Sequence, residues 1–204
     1  KRFTLISTIA ILDYGSGNVR SAVRAFETSG LNVVLTSDPK VALEATGLVV
    51  PGVGAFAACM QGLRNVGAPE IISARYADGR PTLGICIGMQ ILFSDSDENG
   101  LHEGVGIWKS SVRKLEAPIL PHMGWNSVEP ATGSRLFNGV EDESFYFVHS
   151  YAAREVTSGL GTYAIQGQKF LAAVEDGSLS ATQFHPEKSG RAGLALIKNW
   201  SKSL

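Results

Sequence analysis

Two cysteines in 204 residues are too few for a disulfide framework, so Cys59 and Cys86 have to be judged separately. No apolar run reaches the length of a membrane span. The opening segment Lys1 to Thr8 has neither the long apolar stretch nor the small-residue cleavage site of a secretory leader. A soluble cytoplasmic protein is therefore expected. An excess of charge is also lacking: 18 basic against 19 acidic residues leave a formal −1, which argues against the broad attraction that nucleic acid or an anionic membrane would need. No set of Cys and His has metal-ligand spacing, so no metal and no other cofactor is expected. There is no internal repeat, low-complexity tract or convincing linker. With 44% hydrophobic residues, the chain suffices for one domain, 1–204, with a substantial core, and is too short for two ordinary catalytic domains.

What is present reads first as α/β. Short apolar runs at Thr8 to Leu12, Asn32 to Thr36, Leu48 to Val50 and Thr82 to Cys86 alternate with helical patterns, as in a parallel sheet covered by helices. Val19, Ala22, Val23 and Phe26 recur at helical spacing before Gly30, and Ser37, Asp38 and Pro39 open a short helix. Pro69 opens another that ends near Gly79, and Ile87 to Phe93 is read as helix. From about residue 104 strands follow one another without helices: Gly106 to Leu115, Asn126 to Glu129, Ser144 to Tyr151, Gly161 to Gln166, Phe170 to Glu175 and Ala181 to Phe184. That half is expected to be antiparallel or mixed sheet, closed by a helix over Ala192 to Ser201.

Gly84, Ile85, Cys86, Ile87, Gly88 joins a strand to a helix through a turn flanked by glycines, a nucleophile-elbow pattern with sulfur in place of oxygen. So sharp a turn strains its central residue and brings neighbouring backbone close, so glycine is wanted two residues either side. Cys86 would stand at a helix N-terminus whose dipole favours thiolate, with the Ile87 N–H pointing the same way as an oxyanion donor. An isolated cysteine between isoleucines would read as a small core residue; the glycine bracket is what favours the nucleophile. Cys59, among Phe56, Met60 and Leu63, reads as helix packing.

A thiol nucleophile needs a base, and the base needs an orienting group. His185, Pro186, Glu187 offers both after a strand, although His-x-Glu alone is weak and could be a surface histidine. Pro51, Gly52, Val53, Gly54 closes the third strand, where loops of a parallel sheet gather around a ligand; its backbone could supply a second oxyanion donor, or be an ordinary glycine turn. Asp13 to Asn18 is glycine-rich as well. Arg20 stands where a dinucleotide fingerprint needs its third glycine, so a partner-facing loop fits it better than a phosphate site.

Gly52 to Gly54, the Cys86 elbow and His185-Pro186-Glu187, in that order and separation, resemble the class I glutamine amidotransferases across most of the chain. Asp13 to Asn18, Pro51 to Phe56, Pro121 to Asn126 and Tyr146 to Tyr151 bring the resemblance closest to the glutaminase subunits of imidazole glycerol phosphate synthases. The resemblance implies a flavodoxin-like fold and glutamine hydrolysis through a Cys86 thioester. His185 would relay protons and Glu187 orient it, with Gln90 and the backbone at Ser150 and Tyr151 holding the substrate. The Gly52–Val53 peptide would complete the oxyanion hole, reorienting when a partner is loaded. That partner would be a (β/α)₈ cyclase subunit that receives the ammonia, met by Asn18, Trp125 and Lys188; Trp125 also has a core reading. The acidic run Asp95, Asp97, Glu98 is expected to be a solvated loop that could border the interface. Two other readings stay open: the glutaminase subunit of pyridoxal phosphate synthase, and a catalytically silent binding module of the flavodoxin-like fold.

Overall fold

The computed structural model describes residues 7–204, so most of the segment read above for a leader lies outside it. The first half runs β1 (Thr8–Leu12), α1 (Val19–Thr28), β2 (Asn32–Thr36), α2 (Pro39–Glu44), β3 (Gly47–Val50), α3 (Phe56–Asn65), α4 (Ala68–Ala77), β4 (Thr82–Ile85) and α5 (Ile87–Gln90). Then come β5 (Phe93–Ser96), β6 (His102–Glu103), β7 (Trp108–Lys114), β8 (His122–Ser127), β9 (Ser144–His149) and β10 (Tyr151–Ala153). The chain ends with β11 (Leu160–Gln166), β12 (Gln168–Asp176), β13 (Leu179–Thr182), a 3₁₀ turn at Pro186–Lys188 and α6 (Gly190–Ser201).

A seven-stranded sheet in the order β11-β12-β13-β4-β3-β1-β2 forms the centre. Strands β3 and β4 are buried throughout, as the continuous apolar runs require when helices cover both faces. The five strands from β13 to β2 are parallel, and β12 and β11 extend the sheet antiparallel. The mixed character expected of the second half therefore has a specific form: β13 returns to pair in parallel with β4, Thr182 beside Ile85. That register decides where the site is, because the chain leaves β4 and β13 at the same end of the sheet. The loops after β1 and β3 leave there too. A four-stranded sheet, β10-β7-β5-β6, and a two-stranded ribbon, β8-β9, complete the fold.

Three expectations need correction. The helix over Ile87 to Phe93 stops at Gln90, because the Ile91 and Leu92 carbonyls accept from Val105 and Trp108 and Phe93 enters a strand beside Trp108. The strand read from Asn126 begins at His122, paired residue by residue with β9. The run Ser144 to Tyr151 is broken at Ser150, whose carbonyl accepts from Leu115 as the chain passes from the ribbon to the second sheet.

Arg75 of α4 is fully buried with no carboxylate beside it among the described residues. Its guanidinium donates to the Leu43, Ala45 and Pro81 carbonyls at 2.9, 2.8 and 2.7 Å, among others, and to Thr82 Oγ1 at 3.2 Å. Burial, then the nearby Arg80, lowers its pKa to about 10, still charged at neutral pH. One side chain thus ties the end of α2 to the start of β4. Arg75→Met removes this buried charged donor, leaving the Pro81 and Ala45 carbonyls only the Leu48 N–H and the Arg80 guanidinium, and is expected to cost about 3 kcal/mol in urea unfolding; a loss below about 1 kcal/mol would contradict this role.

Candidate active site

Cys86 sits between β4 and α5 with φ 57° and ψ −109°, a left-handed φ that a non-glycine residue adopts at a cost of roughly 1–3 kcal/mol. The surroundings hold it there. A Cβ on Gly88 would lie 1.9 Å from the Val50 carbonyl oxygen, and one on Gly84 would lie 2.3 Å from that of Gly88. Only hydrogen fits at either position, as the bracket of glycines requires. The Cys86 N–H donates to the Thr182 carbonyl at 2.7 Å, fastening the elbow to β13.

His185 comes from the end of that same neighbour. Its N–H donates to the Tyr146 carbonyl at 2.9 Å, and its carbonyl accepts from the Ser189 hydroxyl at 2.7 Å. Nδ1 donates to Glu187 Oε1 at 2.7 Å, with the two side chains 2% and 5% exposed. Burial alone would lower this imidazole; the contacts with Cys86 and Glu187 outweigh it and push it up to about 10. With Nδ1 committed, Nε2 is the nitrogen left to exchange a proton with Cys86. It makes no hydrogen bond of ordinary geometry among the described residues, while Cys86 is foremost among the groups that raise the imidazole.

The loop after β3 is bonded to the elbow on one side and to the loop after β1 on the other. The Ile87 N–H donates to the Gly52 carbonyl at 3.3 Å, and the Val53 N–H donates away from the cleft to Ser16 Oγ at 3.0 Å. Both expected oxyanion donors are thus engaged with protein acceptors. Tyr14 Oη donates to the Pro51 carbonyl at 2.5 Å, and the Cys59 thiol, buried as expected, donates to the Val53 carbonyl at 3.3 Å. Asp13 to Asn18, read as partner-facing, is in part the clamp on this loop; desolvation and the nearby Cys59 raise the Tyr14 phenol and keep it a donor.

Cys86, His185, Gln90, Ser150, Tyr151, Val53, Gly54 and Ile87 line one cleft of about 380 Å³, within the range of small-molecule sites. Lys188 and Glu98 stand in it as well. Gln90 Nε2 donates to the Tyr151 carbonyl at 2.8 Å, while its Oε1 is buried without a partner among the described residues. Glu98 was not expected here. Its carboxylate accepts from the Phe56 N–H at 2.7 Å, and Asp95, in β5, is paired with Arg113 at 2.5 Å, so of the acidic run only Asp97 is exposed. Trp125 is 59% exposed, which removes its core reading, and it meets Tyr146 edge-on. Asn18 is exposed at the start of α1, outside the cleft lining. Among the described residues no cluster of His, Cys, Asp and Glu could hold a metal.

Two buried histidines join the β8-β9 ribbon to the cleft. His122 Nδ1 lies 2.9 Å from His149 Nε2, and His149 Nδ1 lies 2.9 Å from the Tyr151 carbonyl. That carbonyl only accepts, so His149 carries its proton on Nδ1 and accepts at Nε2 from His122. Burial lowers both, His149 to about 3, so both are neutral in the folded protein. The unfolded chain takes up protons below about pH 6.5 that the folded chain refuses until about pH 3. Stability therefore falls as pH drops through that window, by up to about 1.4 kcal/mol per pH unit for this one proton. His149→Gln is expected to flatten that slope in urea titrations at pH 4 to 7, and an unchanged slope would contradict the assignment.

Over residues 10–203 the chain matches the family described as glutamine amidotransferase class-I. It is 55% identical over 202 residues to the imidazole glycerol phosphate synthase subunit HisH of Mycobacterium tuberculosis, covering 97% of this chain and 98% of the relative. Against the same subunit of Corynebacterium efficiens the identity is 54% over 207 residues, covering 96% and 98%. Among solved structures, the fold is similar to a glutamine amidotransferase (TM-score 0.74, 18% identity, 95% of this chain and 98% of that one). It is equally similar to PurLQS from Thermotoga maritima (TM-score 0.74, 14% identity, 97% and 99%). With the match running from β1 to the end of α6, this chain belongs to the class I glutamine amidotransferase family.

Proposed function

We propose that this chain is the glutaminase subunit of an imidazole glycerol phosphate synthase, supplying ammonia from glutamine in histidine biosynthesis. The observation that carries the chemistry is the buried His185–Glu187 pair beside Cys86 on a strained elbow. The thiolate attacks the side-chain amide carbon of glutamine, and the carbonyl electrons move onto oxygen. As the tetrahedral intermediate collapses, His185 gives its proton to the departing nitrogen, so ammonia leaves and a glutamyl thioester remains. Water then attacks the thioester, His185 takes its proton, and glutamate leaves with the thiolate restored.

Gln90 and the backbone at Ser150 and Tyr151 hold the amino-acid end of the substrate. Glu98 supplies the negative charge that an α-ammonium group needs in the same cleft. For the oxyanion hole to form, the Gly52–Val53 peptide turns over, releasing Ile87 N–H from Gly52 and swinging Val53 N–H away from Ser16. Binding of a loaded partner drives that turn, which keeps hydrolysis coupled to demand for ammonia. A (β/α)₈ cyclase subunit is that partner. It seals the ammonia from water, where protonation would remove its nucleophilicity, and combines it with a phosphoribosyl substrate to give imidazole glycerol phosphate and an aminoimidazole carboxamide ribonucleotide. Exposed Trp125 and Lys188, with Asn18, are the contact residues on this side. The pair works in the cytoplasm, with this chain as one domain over 1–204; no helix among the described residues is long and apolar enough to cross a membrane.

Glutamine-dependent turnover of the complex with its cyclase tests this. Cys86→Ala is expected to lower it by more than about 10³-fold while synthesis from added ammonia continues. Unchanged glutamine turnover in that variant would exclude the mechanism.

A further inference from the structure

Gln183 lies between β13 and His185, and it is fully buried. Its backbone N–H donates to the Ala172 carbonyl at 2.8 Å, which fixes the residue against β12. Its side-chain Nε2 is 3.7 Å from Cys86 Sγ, within N–H···S range, and its Oε1 accepts from Gln90 Nε2 at 3.0 Å.

The direction of every bond in this chain is forced. The Tyr151 carbonyl can only accept, so Gln90 presents its amide nitrogen there, at 2.8 Å. The same nitrogen faces Gln183, which must answer with Oε1. That leaves Gln183 Nε2, and not its oxygen, turned to the sulfur. A buried polar side chain at this position is costly unless its hydrogen bonds are made, and an apolar side chain of similar volume would fill the space.

We infer that Gln183 is a further catalytic group, donating an amide hydrogen to the Cys86 sulfur and so favouring thiolate over thiol, with Gln90 and the Tyr151 carbonyl fixing the amide in that orientation. The inference rests on the reading of Cys86 as nucleophile. A hydrogen bond to an ionised acceptor is stronger than one to its neutral form, so the contact strengthens as the thiol ionises and during release of the thiolate from the thioester. The other titratable groups around the sulfur are His185 with Glu187 behind it, His149 on β9, Tyr14 after β1, Cys59 on α3, and Glu98, Lys188 and Tyr151 in the cleft. All of them remain in a Gln183 variant.

Iodoacetamide alkylation of the full chain, followed at the Cys86 peptide by mass spectrometry across pH, tests the inference. In Gln183→Met the rate near neutral pH is expected to fall about tenfold and the profile to move to higher pH, while the plateau at high pH matches wild type. A variant profile that overlays wild type would overturn it. Should Gln183→Met fail to fold, the side-chain amide resonance of Gln183 in the unmutated chain decides. It should move with pH in step with Cys86 alkylation, and a resonance indifferent to that titration would overturn the inference. Full glutamine turnover by Cys86→Ala in the complex would instead remove the underlying reading, whatever Gln183 does.

Discussion

Where β4 turns into α5, the main chain passes so close to the end of β3 that the Val50 carbonyl occupies the space a side chain at position 88 would need. This contact holds Cys86 at a positive φ and presents its sulfur at the end of the sheet where β13 also terminates. The strain of roughly 1–3 kcal/mol at Cys86 persists because packing on both sides leaves no relaxed alternative. His185, Gln183 and the Gly52–Val53 peptide are then adjacent for one reason: the strands carrying them flank β4.

Around the sulfur, polar groups are buried in numbers that would destabilise an ordinary core, and most are satisfied in an ordered way. Gln90 joins Gln183 to the Tyr151 carbonyl, and the His122–His149 pair ends on that carbonyl as well. The segment that would hold the substrate is thus fixed from two sides. The loop after β3 is held equally firmly, its Pro51 and Val53 carbonyls accepting from Tyr14 and Cys59 and its Val53 N–H donating to Ser16. In the function proposed above, a nucleophile held beside an oxyanion loop that must first turn suits an enzyme whose product is lost when made without a recipient.

Much of this was legible in the sequence, for physical reasons that can be named. The buried parallel strands showed as unbroken apolar runs, and the elbow showed because its steric demand falls on glycines two residues either side of Cys86. His185 and Glu187 were legible as a local pair. Gln183, Glu98 and Ser16 were not, since each acts on a partner 37 to 97 positions away and carries no local pattern. The end of α5 at Gln90 and the break at Ser150 escaped for a related reason: carbonyls and amides there bond to distant strands, so tertiary pairing overrides local propensity. Trp125, ambiguous between core and surface in sequence, is resolved by its place on the outer face of a two-stranded ribbon.

The central claim is that Cys86, held on its strained turn, becomes acylated during turnover. Acid quenching of the glutamine-consuming complex, followed by proteolysis and mass spectrometry, reads this directly. The account predicts a glutamyl group on the peptide containing Cys86 and none on the peptide containing Cys59. Sustained turnover with Cys86 never acylated would contradict it.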